Sequence, residues 1–422
     1  MKGAPVRSGG VRTAVGLGAI LLMGSAPAAS GPRTWEDVVR RAAAQNPELA
    51  AARANEDAAR ARRASSVNGF LPSVSLAQRV SRSDGAERTW SASADAALDL
   101  LNVGAWTGVR SADAALREAR DQRQLVSADL RLNLFTAFAG LLFAQRQIVV
   151  AQKIRDLRND NAQMVDLKYR SGREYKGNGL RAAAERAQAE ADLAQAQRDL
   201  SSAQSALSRQ MGDETFEVWT VTGTLAVPAA SARPNWNALI ADHPRVRLAE
   251  SNVDAARAVY QKARGGLVPT LSVGYSRRYD GPDFFPDGPH WTASGVLNWP
   301  IFGKGLTAAF FDAAAARRDW KAREEDLRAV RLELRRSLES AWSDWAARAD
   351  RVAVQNQFLA AIEQQNSEAS IRYASGLMSF ENWEQVVTDL VNVERSALQA
   401  ERDAAVAEAA WRNARGVPLE DQ

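Results

Sequence analysis

Few side chains in this 422-residue chain could do covalent or metal chemistry. The two histidines, His243 and His290, are too few and too scattered for a metal cluster or a catalytic dyad. His243 also stands at a repeated position that holds Asn46 in the first half of the chain. With no cysteine there is no disulfide, no zinc-thiolate site and no N-terminal cysteine to carry a lipid. No Gly-rich loop is present to cradle a phosphate. Asp283 and Asp287 sit among prolines between Gly281 and His290, a composition of exposed turns rather than of a calcium loop. The residue types therefore argue against an enzyme and against any cofactor.

What remains is architecture. Ala, Arg, Glu, Gln and Asp dominate long stretches with little Gly or Pro, the profile of long helices and coiled coils. The N-terminus reads as a cleavable secretory signal over residues 1–30. Lys2, Arg7 and Arg12 form its basic region, Thr13 to Gly24 an apolar stretch too short to span a bilayer, and Ala26-Pro27-Ala28-Ala29-Ser30 a run of small residues for cleavage. Those three cations supply most of the formal +4, leaving the remainder near +1, so the calculated basicity points to no nucleic-acid partner. The most apolar later run, Leu134 to Ala144, is interrupted by Gln145, Arg146 and Gln147 and is too short for a transmembrane helix.

An internal duplication organises the chain. Asn46-Pro47 recurs as His243-Pro244 and Leu71-Pro72 as Val268-Pro269, at an offset of 197. Trp90-Ser91-Ala92-Ser93 recurs as Trp291-Thr292-Ala293-Ser294 at 201, and Tyr169-Arg170-Ser171-Gly172 as Tyr373-Ala374-Ser375-Gly376 at 204. The copies span residues 31–212 and 235–416, joined by 213–234 and followed by a short tail, 417–422. Each predicts a first helix (Thr34 to Asn68; Asn235 to Arg264), two strands, a helix of 65–70 residues ending at a Ser-Gly break, and a last helix reaching Gly212 or Gly416. Ala189, Leu193, Ala196, Leu200, Ala203 and Leu207 form a heptad seam, and Leu338, Trp345, Val352 and Leu359 recur every seven residues.

The strands, at about 72–82, 89–101, 269–280 and 291–302, alternate in polarity. Val74, Leu76 and Val80 oppose Ser73, Ser75, Arg79 and Ser81; Trp90 to Leu100 and both strands of the second copy follow the same rule. Each is about ten residues long, the length of a tilted membrane-crossing strand, with Trp90, Tyr279 and Trp291 beside the turns and Trp299 at the other end. Alternation alone also fits amphipathic hairpins in a soluble sheet. A membrane reading needs several protomers, because four strands close no barrel and open edges are not tolerated in lipid.

The order and duplication of Asn46-Pro47, Leu71-Pro72, Ile301-Phe302-Gly303-Lys304-Gly305 and Tyr373-Ala374-Ser375-Gly376 resemble the TolC-like family of outer-membrane efflux proteins. The first copy carries a degraded form of the post-strand motif, Leu100-Leu101-Asn102-Val103-Gly104. The resemblance implies a mainly α fold with a small β part: duplicated long-helix coiled-coil hairpins and four transmembrane β-strands per protomer, assembled as a trimeric α/β-barrel tube. It implies a homotrimer in the outer membrane of a Gram-negative bacterium, in contact with outer-membrane lipid and extending into the periplasm. Its partners would be a periplasmic adaptor (membrane fusion) protein and an inner-membrane pump of RND or ABC type. The tips would be Ser171-Gly172 and Ser375-Gly376. Where a carboxylate gate would be sought, the chain has Asn382 and Gln385, flanked by Glu381 and Glu384, which read as solvated helix surface. The rival reading from another class is a soluble periplasmic coiled-coil scaffold or adaptor.

Overall fold

The computed structural model describes residues 32–420 apart from 86, 216–217, 226–227, 229–231, 300 and 303–304. The expected signal segment, and Gly303 and Lys304 of the post-strand motif, lie outside the described residues. Two helices, α1 (Trp35–Gln45) and α2 (Pro47–Ser66), lead through a short 3-10 turn to strands β1 (Ser73–Ser81) and β2 (Thr89–Leu101). Helices α3 (Val103–Arg170) and α4 (Lys176–Met211) follow. The order then recurs with α5 (Trp236–Ala241), α6 (Pro244–Gly265), β3 (Thr270–Gly281), β4 (Gly288–Asn298), α7 (Leu306–Ala374) and α8 (Phe380–Ala414). At about 1.5 Å per residue, α3 and α7 each run roughly 100 Å.

The expected single first helix of each copy is broken, and the break is chemical. Pro47 and Pro244 bring no N–H, and their rings would clash with the preceding helical turn, so each starts a new helix. Asn46 caps the new start, its Oδ1 accepting from the Glu48 and Leu49 N–H groups at 2.9 and 3.1 Å, while its Nδ2 donates to the Gln210 carbonyl at 3.0 Å. His243 copies this in ring form. Its Nδ1 accepts from the Arg245 N–H at 3.1 Å, which leaves the proton on Nε2 to meet the Ala414 carbonyl at 3.0 Å. Beside each cap a left-handed glycine lets the chain come close: a Cβ on Gly212 would lie 2.6 Å from the Gln45 carbonyl oxygen, and one on Gly416 2.8 Å from Pro244.

Burial, with Arg245 and Arg247 nearby, pushes the His243 pKa down to about 4. The unfolded chain then binds more protons than the folded one below pH ~6.5, so the cap stabilises above that pH and its contribution is lost on acidification toward 4. We expect the urea midpoint to fall by the equivalent of roughly 1–3 kcal/mol between pH 7 and 4. His243→Asn, which installs the residue of the first copy, should keep the fold and flatten that acid limb. An unchanged limb would clear His243 of the effect.

The strands form one antiparallel sheet in the order β1-β2-β3-β4, so the central pair joins the two copies. β4 begins earlier than the sequence suggests, at Gly288 opposite Asp280, because the glycine admits the close approach: a Cβ there would lie 2.8 Å from the Asp280 oxygen. It ends at Asn298, short of the expected 302 and before the Trp299-Pro300 step, since a proline has no N–H for the ladder. The register puts Val74, Leu76, Gln78 and Val80 in line with Ala96, Ala94, Ala92 and Trp90, and these with Tyr275, Arg277, Tyr279 and Gly281. One face is thus apolar except for Gln78 and Arg277. The other carries Ser73, Ser75, Arg79, Ser93, Asp95, Ser276 and Arg278. Within the described residues the outer edges of β1 and β4 have no strand beside them.

Below the sheet the helices keep its order, with α2 against α3, α3 against α6 and α6 against α7. The paired helices α3–α4 and α7–α8 extend away from it, joined to each other through α3 and α8. Helix α3 contains a stretch apolar enough for a membrane span, of mean hydropathy 1.5. Its Leu130, Leu134, Phe138, Leu141 and Leu142 are instead buried against α1, the end of α4 and the inter-repeat residues Trp219, Val221 and Leu225. Among the described residues, that inter-repeat segment forms one parallel bridge, between Arg33 and Val221.

Candidate functional site

The end of the helices farthest from the sheet is built from two quasi-identical turns. After α3, Gly172 takes φ 73°, the Gly172 N–H donates to the Tyr169 carbonyl and the Arg173 N–H to that of Lys168. After α7, Gly376 takes φ 80°, with the Gly376 and Leu377 N–H groups on the Tyr373 and Arg372 carbonyls. Both are Schellman caps, which need the left-handed residue that glycine supplies without strain. Ser171 and Ser375 donate back to the Lys168 and Ile371 carbonyls at 2.9 and 2.8 Å. All four turn residues are exposed. Helix α8 restarts on Ser379, whose hydroxyl accepts the Asn382 N–H at 3.3 Å.

The structure brings the two turns together over a shared core of Val165, Ala182, Ala369, Tyr373, Phe380, Trp383, Val386 and Val387. Tyr373 stacks on Trp383 with ring centroids 4.3 Å apart and planes 9° from parallel. The Tyr373 hydroxyl donates to Glu174 Oε2 at 2.8 Å, tying one turn to the other. Burial opposes ionisation of Glu174, but hydrogen bonds from Asn178, the Tyr175 N–H and Tyr373 hold its pKa below the usual carboxylate range. Lys168 donates to the Tyr373 carbonyl and lies 3.7 Å from the centre of its ring. Burial lowers the pKa of this lysine.

A buried charge cluster sits deeper in the helices. Arg158 on α3 donates through Nη1 to Glu384 Oε1 on α8 at 2.5 Å and to Glu185 Oε2 on α4 at 2.7 Å. Arg158 Nη2 reaches Thr388 at 3.3 Å, Thr388 donates to Glu384 Oε1 at 3.1 Å, and Arg181 donates to Glu185 at 3.1 Å. Two carboxylates so close in a poorly hydrated site cannot both ionise freely. Burial and the hydrogen bond with Glu185, against the pull of Arg158, raise the Glu384 pKa to about 7. Glu185 is held low, with burial opposed by its hydrogen bond to Glu384 and by Arg158 and Arg181. Farther from the tip, Lys153–Glu394 at 2.5 Å and Arg146–Glu401 at 2.8 Å continue the α3–α8 contact.

Glu384, expected as solvated surface, is therefore corrected: it is 2% exposed. Helix α8 packs on two sides, so residues adjacent in sequence, Trp383 and Glu384, are both inside. Glu381, Asn382 and Gln385 are exposed, and Gln385 donates to Asp389 at 2.9 Å. Sequence reasoning missed Arg158, Glu185, Lys168 and Glu174. Among the described residues no group of three or more His, Asp or Glu side chains is arranged to hold a metal. The arrangement fastens helices together.

A family profile described as outer membrane efflux protein matches residues 38–213 and 236–417. The chain is similar to the pyoverdine export outer membrane protein OpmQ of Pseudomonas putida, at 28% identity over 298 residues, which span 64% of this chain and 62% of that protein. Its fold is similar to the open state of the MtrE outer membrane channel of Neisseria gonorrhoeae (TM-score 0.80, 18% identity, 90% of this chain and 88% of that one). It is also similar to the outer membrane protein VceC of Vibrio cholerae (TM-score 0.79, 16% identity, 91% and 96%). The family match over both halves makes this chain a member of the outer membrane efflux protein family, and the solved channels share its fold.

Proposed function

We propose that the chain is the outer-membrane conduit of a tripartite efflux or type I secretion system, passive in itself and opened by an energised inner-membrane partner. The observation that carries this reading is the sheet: one face apolar but for Gln78 and Arg277, one polar face, and two edges with no strand beside them among the described residues. In lipid such edges must be paired. Three copies would supply twelve strands, β1 of each pairing with β4 of the next, with the polar face lining the lumen. The helical wall continues the tube into the periplasm. Residues 31–212 and 235–416 are read as two copies of one unit, joined by 213–234.

The turns Ser171-Gly172 and Ser375-Gly376 form the end that meets a periplasmic adaptor and, through it, a pump of RND or ABC type. Glu381, Asn382 and Gln385 lie on the exposed face of α8 beside them. Arg158, Glu185 and Glu384 act inside the tip as its fastening. The relative that exports pyoverdine makes small secreted molecules the first cargo to test. On unheated gels the purified protein should run as a heat-labile trimer, and in planar bilayers it should give stepwise conductance. Recovery as a monomer from the soluble periplasm would overturn the channel and favour a coiled-coil scaffold.

A further inference from the structure

Just below the sheet, α6 and α7 leave a groove of about 560 Å³ between them. Leu267 and Phe310 line the end nearest the strands. Farther down α7, by about two and three turns from Phe310, come Arg317 and Lys321. Arg264 folds back along α6, its guanidinium 5.8 Å from the centre of the Tyr260 ring. Tyr260 in turn stacks on Trp320, and Arg257 lies over Trp320. The groove is therefore apolar toward the sheet and cationic away from it.

None of Arg264, Arg317 and Lys321 has a carboxylate at salt-bridge distance among the described residues. Along α7, Asp312 and Asp319 fall about half a turn away on its far side at 3.6 residues per turn. Glu324 and Glu325 follow one turn beyond Lys321, where Glu325 pairs with Arg328 at 3.7 Å. With Arg318, which also lines the groove, four cations stand there without a carboxylate at salt-bridge distance among the described residues, and they call for an anion.

The groove opens on the outer side of the wall. Arg257 belongs both to the neighbouring α3–α6 groove, with Arg110 and Arg117, and to the contact with Trp320. That side of α3 also presents Trp106, 65% exposed, as α7 presents Phe310 at 63%. The opposite side of α3 is small and polar, with Gly108, Ser111, Ala112, Ala115 and Gln122. Large aromatics left bare within two turns of a membrane-crossing sheet suit a bilayer interface, and small polar residues suit a water-filled lumen.

We propose that this groove binds an anionic phospholipid of the periplasmic leaflet of the outer membrane. Its phosphate would lie among Arg264, Arg317 and Lys321, and its chains would run past Leu267 and Phe310 toward the sheet. The polarity of the groove matches a lipid in that leaflet, whose headgroup points to the periplasm. A neighbouring copy would meet the flank of α7 marked by Phe311, about a quarter turn away, and would pack beside the groove rather than in it. The inference rests on the reading of the sheet as membrane-crossing.

The test is native mass spectrometry of the full chain in detergent, titrated with phosphatidylglycerol or with phosphatidylcholine. The wild type should prefer phosphatidylglycerol by about tenfold or more, as expected when three cations act together at a headgroup surface. Arg264→Gln/Arg317→Gln/Lys321→Gln should lose the preference, while Arg62→Gln/Lys262→Gln, on the lumen side, should keep it. Soluble glycerophosphoglycerol should not compete. Equal binding of both lipids, or a preference that survives the triple substitution, overturns the proposal. So does competition by the soluble ester, which would make the ligand a free phosphodiester. A triple variant that falls to monomers would assign the groove to a neighbouring copy. Failure of the channel reading shows separately, as a wild type with no heat-labile oligomer and no conductance.

Discussion

Arg158→Leu is expected to loosen the tip by about 3–5 kcal/mol, the cost of leaving a buried charge without its partner. Arg158 is the only described cation within hydrogen-bonding distance of Glu384, so its loss leaves that buried carboxyl with Thr388 alone beside Trp383, Val386 and Val387, while Glu185 keeps Arg181. Hydrogen exchange of the amides around residues 158–185 and 370–390 should accelerate, and trypsin should cut at Arg173 and Arg372. Arg158→Leu/Glu384→Leu should recover most of the protection, because an apolar pair of similar size carries no desolvation cost. Unchanged exchange in the single variant would remove Arg158 from the fastening.

The same cluster has a pH signature of definite sign. With the folded pKa of Glu384 raised to about 7 from an ordinary 4.5, the folded tip binds more protons than the unfolded chain between those values. The tip is then firmest when Glu384 is protonated, and its protection falls as pH rises from about 4.5 to 7. Glu185, held low, pulls the other way only below its ordinary range, so the loss between pH 5.5 and 7 belongs to Glu384. Glu384→Gln, which keeps a hydrogen-bonding group and cannot ionise, should be flat over that interval once intrinsic exchange is corrected. A variant with the wild-type slope would assign the titration elsewhere.

Repeats carry position-by-position information, and where two copies agree the fold is legible. The Ser-Gly pairs at 171–172 and 375–376 predict two matching turns, and both are Schellman caps. Asn46 and His243, chemically unlike, share a helix-capping role that the duplication alone could suggest. The breaks at Pro47 and Pro244 were also readable from the proline pairs, yet the continuous Ala-rich pattern outweighed them in the expected helix. The buried cluster was hidden for a different reason. Arg158 and Glu384 are 226 positions apart and lie on different copies, with no counterpart at the repeat offset, so nothing local marks them as partners. Glu384 looked solvated because a helix with one buried face would expose it beside Trp383, and α8 has two such faces.

Leu76→Arg should abolish the heat-labile oligomer seen on unheated gels, whereas Ser75→Arg one position earlier should leave it intact. The register puts Leu76 on the apolar face opposite Ala94 and Ser75 on the polar face opposite Asp95. Near the middle of a nine-residue strand, an arginine on a lipid-facing side costs about 2–4 kcal/mol, and the lumen side is indifferent to charge. A ring of three copies would carry that cost three times, enough to outweigh the pairing of β1 with its neighbour. In a soluble sheet the expectation differs: Leu76 is already 81% exposed within one chain, and a charge there would cost next to nothing. Unheated gels of membrane fractions, with conductance of the purified variants, read the difference directly. Equal tolerance at positions 75 and 76 would mean that neither face of the sheet meets lipid, and the membrane-crossing reading would fall with it.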